Sequence, residues 1–338
     1  MLRQAFILTL VLASLPAQEL PKARQFHFDQ YSDVVHLDFA AMRDHGVWPD
    51  VEVSRFKVVL RVVEKELGFP LSRLDRLTSV AEVAIADGEK IRRHEVSIYE
   101  GNAELLVSEG MRSSRYQQQE IGGLILRCDR RVVGDAWVQV GPHLRVVGDM
   151  AAIKPVLAGK PRSGVPCADV LSLVAERGLL GYGVFDASKD TPAAVALREM
   201  LPDARWPAKD QPTFACIRVR STGKAPDSHL LLELVVRHGT ASEGLAATEV
   251  AVTKAILRLT KMPELRQFKQ LLSQVHHERA GIDAIWRVDL GSTRSAIGVL
   301  APVVVPVVLS RLLPVREFAE AMRAFSAEEK PAAVNDRK

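Results

Sequence analysis

The segment "HLDFAAMRDH", residues 36–45, brings His36, Asp38, Asp44 and His45 close together in sequence. Imidazoles and carboxylates are the side chains that hold divalent metals and move protons. On an extended strand His36 and Asp38 point to the same face, because side chains alternate along a strand. Their spacing matches no zinc pattern, and HExxH is absent from the chain. No metal is therefore expected here.

Asp38 belongs to a wider pattern. An apolar run ends in aspartate and a helix-like segment begins in "VVHLDFAAMRD", "LRVVGDMAAIKPVL", "GYGVFDASKDTPAAVAL" and "WRVDLGSTRSAIGVL". The aspartates are Asp38, Asp149, Asp186 and Asp289. Aspartate between a strand and a helix accepts hydrogen bonds from free N–H groups of the first turn, and its charge suits the helix dipole. Four independent caps are the expectation. The alternative is an acidic site in which His36, Asp38, Asp149, Asp186 and Asp289 gather at one end of a sheet.

Other chemistry has less footing. There is no G-x-S-x-G elbow for a nucleophilic serine. Cys167 precedes a helix-like segment, where a thiolate is stabilised, but no partner histidine is identifiable. Gly178, Gly181 and Gly183 lie within a strand-like run, whereas a dinucleotide loop places its glycines between strand and helix. No cofactor is expected. "MRSSRYQQQE", residues 111–120, carries Arg112 and Arg115 and reads as a solvated hairpin tip. His276, His277 and Glu278 read as a solvated helix end, where histidine suits the C-terminal dipole.

Hydrophobic spacing supplies the elements that must carry these groups. Residues 51–67 place Phe56, Val59, Leu60, Val63 and Leu67 on one helical stripe. Short alternating runs separated by glycine, asparagine and charge follow, as in "LTSVAEVAIA", "HEVSIYEG" and "DAWVQVG". They predict antiparallel hairpins. After "GKPRSGVP", residues 159–166, the order partly repeats, with strands at "LLGYGVFDAS", "PTFACIRVRS", "SHLLLELVVRHG" and "GIDAIWRVDLG". Helices are predicted at 242–261 and 263–279. The expected fold is α+β: two related halves, 30–160 and 167–325, each a mainly antiparallel sheet with helices packed on one face. Residues 326–338 are expected to be a disordered tail.

Apolar residues make up 47% of the 338 and charged residues 25%, enough for a core without staples. A net charge of +4 with both signs interspersed makes no nucleic-acid surface, so nucleic acid is not an expected partner. "MLRQAFILTLVLASLPAQE" has one arginine, an apolar run and small residues ending at Ala17. That layout is a secretory signal, with cleavage expected after Ala17 and a periplasmic or extracellular destination. Three widely spaced cysteines, Cys128, Cys167 and Cys216, make no disulfide framework and are expected to be small buried residues.

The stretch "SAIGVLAPVVVPVVLSRLLP", residues 295–314, has sixteen residues between Arg294 and Arg311. As a helix they would reach about 24 Å, short of the roughly 30 Å of a bilayer core. Pro302 and Pro306 lie inside it and interrupt helical bonding. No dedicated membrane span is expected. A packed segment or a contact surface is expected instead, with Ile297, Val299, Leu300, Val303, Val304, Val307 and Val308 as the candidate interaction residues. The partner would be an unknown protein or envelope component, with peripheral membrane contact as a variant.

"VVHLDFAAMRDHGVW" and "LRVVGDMAAIKPVLAG" resemble segments of uncharacterised secreted bacterial proteins built from strand–Asp–helix units. The resemblance implies a class, and it implies no catalytic residue. The functional expectation is an exported, non-enzymatic binding or scaffolding protein of the cell envelope. The alternative is an exported hydrolase with an unrecognised site.

Overall fold

The computed structural model describes residues 33–53, 56–67, 69–86, 90–101, 116–121, 124–129, 135–141, 143–150, 152–153, 178–188, 192–207, 209–223, 228–240, 243–262, 269–297, 319 and 322–323. The signal segment, the linker at 159–166, Cys167, the tail and residues 298–314 lie outside them.

Strand β1 (Asp33–Asp38) leads into three helices, α1 (Phe39–Asp44), α2 (Trp48–Val53) and α3 (Phe56–Leu67). The strands β2 (Leu74–Ala86), β3 (Lys90–Gly101), β4 (Tyr116–Ile121), β5 (Leu124–Asp129), β6 (Asp135–Gly141) and β7 (Leu144–Asp149) follow. The second run of chain contains β8 (Leu179–Asp186), α4 (Pro192–Met200), β9 (Pro212–Ser221), β10 (His229–His238), α5 (Glu243–Leu259), α6 (Lys269–Ser273), β11 (His276–Ala280) and β12 (Asp283–Ser292).

All the described strands form one twelve-stranded sheet, ordered β11-β12-β10-β9-β8-β1-β2-β3-β7-β6-β5-β4. Every pairing is antiparallel. This corrects the expectation of a separate sheet in each half. β1 pairs with β8, so the two runs of chain share one continuous ladder. The fold is more sheet-dominated than α+β implies, with few helices among the described residues.

The helices find their side of the sheet through period-two alternation. Leu37, Leu77, Tyr99 and Val147 meet Phe39, Trp48, Val59, Val63 and Leu67 of the first helices. Ala215, Val236, Ala284 and Trp286 meet Leu197 of α4 and Leu245, Ala251 and Val252 of α5. The opposite face is buried at its centre as well, by Val184, Phe214, Cys216, Val235 and Ile285.

Two segments depart from their expected form. The helix predicted over 263–279 is a short α6 followed by β11, because His276–Ala280 turns back on β12 through Gly281 at φ 63°. Gly first in a two-residue turn suits the twist of a hairpin. In the predicted hairpin tip, Tyr116–Glu120 is strand β4, and Met111–Arg115 lies outside the described residues. No described helix is long and apolar enough to cross a membrane.

Candidate functional site

Strand register lines up one row of side chains on the face away from the helices. His36 lies opposite Tyr182, Tyr182 opposite Arg218, Arg218 opposite Glu233, Glu233 opposite Arg287, and Arg287 opposite His276. In the other direction the same row runs through Thr78, Ile98, Val146, Val138 and Leu126. It is apolar over β3 to β5 and polar from β2 to β11. The polar part holds two clusters.

The first cluster centres on Arg76. Asp38 Oδ2 lies 3.5 Å from Arg76 Nε, and Glu100 Oε2 lies 3.8 Å from Arg76 Nη1. Burial pushes the Glu100 carboxyl up to about 7; Arg76 opposes this, and the charges of Asp38 and Asp75 add to it. His36 donates to or accepts from Thr78 Oγ1 at 2.9 Å and stacks on Tyr182 with ring centroids 5.0 Å apart. Burial lowers His36 to about 4 against the pull of Asp38, with Arg76 lowering it further. A carboxyl pushed up toward neutrality can exchange a proton, and Glu100 meets that condition.

The second cluster centres on Glu233, whose side chain is 0% exposed. Arg220 donates to it from Nε at 2.9 Å and from Nη2 at 2.8 Å, and Arg287 donates from Nε at 2.5 Å. Arg218 Nε is 2.8 Å away but off the line of a hydrogen bond, so that contact is ionic. Burial favours the protonated acid, but the bonds from Arg220 and Arg287 and the nearby charges of Arg218 and Arg220 outweigh it and hold Glu233 below the usual carboxylate range. Burial pushes the neighbouring Cys216 thiol up to about 12, which removes it as a nucleophile.

A third constellation has the order of a nucleophile, a base and an orienting acid. Thr248 Oγ1 is 2.9 Å from His238 Nε2, and His238 Nδ1 is 3.5 Å from Asp210 Oδ1. Its surroundings assign it a structural task. Thr248 and His238 are both 0% exposed, and Trp206 Nε1 donates to Thr248 Oγ1 at 2.7 Å. Asp210 Oδ2 accepts from Gly244 N at 2.5 Å, at the start of α5. A Cβ at Gly244 would stand 2.0 Å from the Asp210 carbonyl oxygen, so only glycine permits this approach. Burial lowers His238 against the pull of Asp210. The constellation locks α5 to the sheet.

The aspartates singled out from the sequence do not gather. β1 and β12 run one way, and β7 and β8 run the other. Asp38 and Asp289 therefore lie at one end of the sheet and Asp149 and Asp186 at the other. Within each end they stand four strands apart, about 19 Å at the usual strand spacing. Asp38 is the N-cap of α1 and accepts from Ala41 N at 2.7 Å. Asp186 accepts from Ser188 N at 3.0 Å, and Asp289 from Gly291 N at 2.7 Å. Asp149 ends β7 opposite Asp135. His36 stays beside Asp38 on β1, whereas His45 bonds the Gly223 carbonyl oxygen at 2.6 Å and Asp44 is exposed. No group of three or more potential metal ligands occurs among the described residues. Cys128 and Cys216 are not joined to each other and lie on strands separated by six others. Of the candidate interaction residues, Ile297 is described and buried, while Val299, Leu300, Val303, Val304, Val307 and Val308 lie outside the described residues.

Sequence reasoning missed Glu233 and its arginines. A signal existed in "LLLELVV", a single carboxylate inside an apolar run. It also missed a window on the helix-bearing face. Ile217 sits on the interior strand β9 and is 47% exposed. A Cβ at its ladder neighbour Gly183 would meet nothing within 4 Å. Val35 and Leu234, in the same row, are half-buried. The sheet floor is thus open to solvent between the layer of α1–α3 and that of α4 and α5.

No protein-family model matches the chain, and no curated protein matches it. Among solved structures it is similar to the one titled "Structure of crystal form I of TP0453", at 11% sequence identity and a TM-score of 0.42, over 85% of this chain and 98% of that one.

Proposed function

We propose that this chain is an exported protein of the cell envelope that acts by binding or scaffolding, with the open window at Ile217 as a contact surface. The observation that carries the reading is an apolar side chain, 47% exposed, on an interior strand whose neighbours leave the sheet floor bare. Ile125 on β5 is equally exposed, and what sets Ile217 apart is its surroundings: a bare glycine and the half-buried Val35 and Leu234 extend it into an apolar surface that a partner can cover. The export reading rests on residues 1–17 and the contact reading is extended by the apolar stretch 295–314. Ala296, at the start of that stretch, packs in the same cluster as Val219, two residues from Ile217. The polar groups support the same view, since Asp38 caps α1, Asp186 and Asp289 each accept from a backbone N–H two residues on, and Glu233 is engaged by arginines.

We also propose that the chain is built of two related halves. Each begins with a central strand ending in aspartate, passes through helix and returns beside it: β1 to β2 to β3, and β8 to β9 to β10. β7 then joins β3 as β12 joins β10, with β6 and β11 outside them. The central pair aligns Val35 with Gly183, the residues that stand three before Asp38 and Asp186.

The alternative, a hydrolase, draws support from Glu100, whose carboxyl is held at about 7 beside Asp38 and Arg76. One experiment separates the two. The mature chain and its Ile217→Asp variant are used to capture cross-linked envelope components, and both are assayed for hydrolysis of ester, peptide and glycoside substrates. Binding predicts a specific partner lost in the folded Ile217→Asp variant. Turnover abolished by Glu100→Gln, with capture unaffected by Ile217→Asp, sinks the binding reading.

A further inference from the structure

The two edges of the sheet are built differently. β11 closes one edge with His-His-Glu-Arg-Ala, every residue exposed. An antiparallel copy centred on Glu278 or on Arg279 would set like charges opposite each other, the ordinary way of guarding an edge. β4 closes the other edge. Gln117, Gln118, Gln119 and Glu120 are all exposed, so both faces of the strand meet solvent. Among the described strands it pairs with β5 alone, through an unbroken ladder of six residues. It carries no lysine, no proline and no bulge. A strand held by one ladder, with none of these four side chains buried, gains little from its own fold. Its outward N–H and C=O groups form a template for another strand.

We propose that β4 pairs antiparallel with β4 of a second copy of this chain, about a two-fold axis through Gln118. Residues directly opposite in a ladder share a face, so a two-fold normal to the sheet must pass through a residue. With the axis at Gln118, that residue faces its own copy, and Gln117 faces the partner's Gln119. Three glutamine pairs result, and no charge opposes its like. Each amide both donates and accepts, so each pair can bond across the ladder. The pairing uses none of the groups at the Ile217 window and stands or falls apart from the function proposed above.

Sedimentation of the full chain over a dilution series tests this. The expected result is a dimer that dissociates on dilution. Gln118→Lys places two ammonium groups at the axis and weakens the dimer at least tenfold. Glu278→Ala, at the opposite edge, leaves the mass unchanged. Gln118→Cys gives a covalent dimer on mild oxidation, and Gln117→Cys gives far less, because its mate is the partner's Gln119. Circular dichroism melts establish that each variant is folded. A monomer at every concentration overturns the proposal, as does a dimer that folded Gln118→Lys leaves intact. If Gln118→Lys fails to fold, the Gln118→Cys cross-link decides: its absence in the folded protein overturns the pairing.

Discussion

The β3–β7 wing and the β8–β12 wing each bury a full charge, and they do so by different means. In the first, Arg145 is 1% exposed on the helix side of β7. Its guanidinium lies 4.9 Å from the ring centroids of both Phe69 and Trp137, and Nη1 donates to the Leu67 carbonyl oxygen at 3.0 Å, at the end of α3. In the second, Glu233 is surrounded by Arg218, Arg220 and Arg287. A guanidinium spreads its charge over a plane, so aromatic faces and a helix-end carbonyl suit it. A carboxylate concentrates charge on two oxygens and requires cations. The first wing can therefore keep the row through Ile98, Val146, Val138 and Leu126 on its opposite face apolar, while the second carries its charges in a row across several strands.

The largest expected effect breaks the second arrangement. Glu233→Ala leaves arginines crowded in a buried site and should lower stability by about 3–5 kcal/mol, read from urea denaturation. Replacing Glu233 and Arg218 together by leucine should cost less than Glu233→Ala alone, because the most deeply buried charge pair leaves as a unit. A double variant worse than the single would mean that the cluster is not an electrostatic unit.

Arg145→Met is the matching change in the first wing. The flexible apolar chain keeps much of the packing but loses the contact with two rings and the bond to the α3 carbonyl. The expected loss is about 2 kcal/mol, smaller than at Glu233. A loss as large as that at Glu233 would erase the contrast between the wings.

The smallest effect in the wild type is a pH dependence at the Arg76 cluster, because two opposite slopes offset each other there. His36 titrates at 6.5 unfolded and about 4 folded, so its contribution is full above 6.5 and is lost as pH falls toward 4. Glu100 titrates at 4.5 unfolded and about 7 folded, so stability from this group falls as pH rises from 4.5 to 7. The two slopes oppose each other between 4.5 and 6.5. Glu100→Gln should unmask a rise in melting temperature across that window, and His36→Asn should unmask a fall. Identical profiles for wild type and both variants would refute the assignment.

Much of the strand content was legible, because runs such as "PTFACIRVRS" and "LLGYGVFDAS" declare themselves through apolar side chains between turn residues. α5 was legible through length and spacing. β11 was not, since His276–Ala280 has no apolar alternation of its own, although Gly281 in "AGID" marked the turn. The window at Ile217 was illegible for a related reason. An isoleucine on a strand reads as core, and only the distance between two helical layers leaves it bare.

Sequence by itself determined which residues alternate along each strand and that Asp38 stands where β1 gives way to helix, because both follow from interactions within a few residues. Only the tertiary structure decided that β1 and β8 join the two runs into one sheet, that the four aspartates divide between its ends, and that Glu233 meets three arginines. Those outcomes depend on strand order and direction, set by contacts between residues far apart in the chain, and no local pattern encodes them.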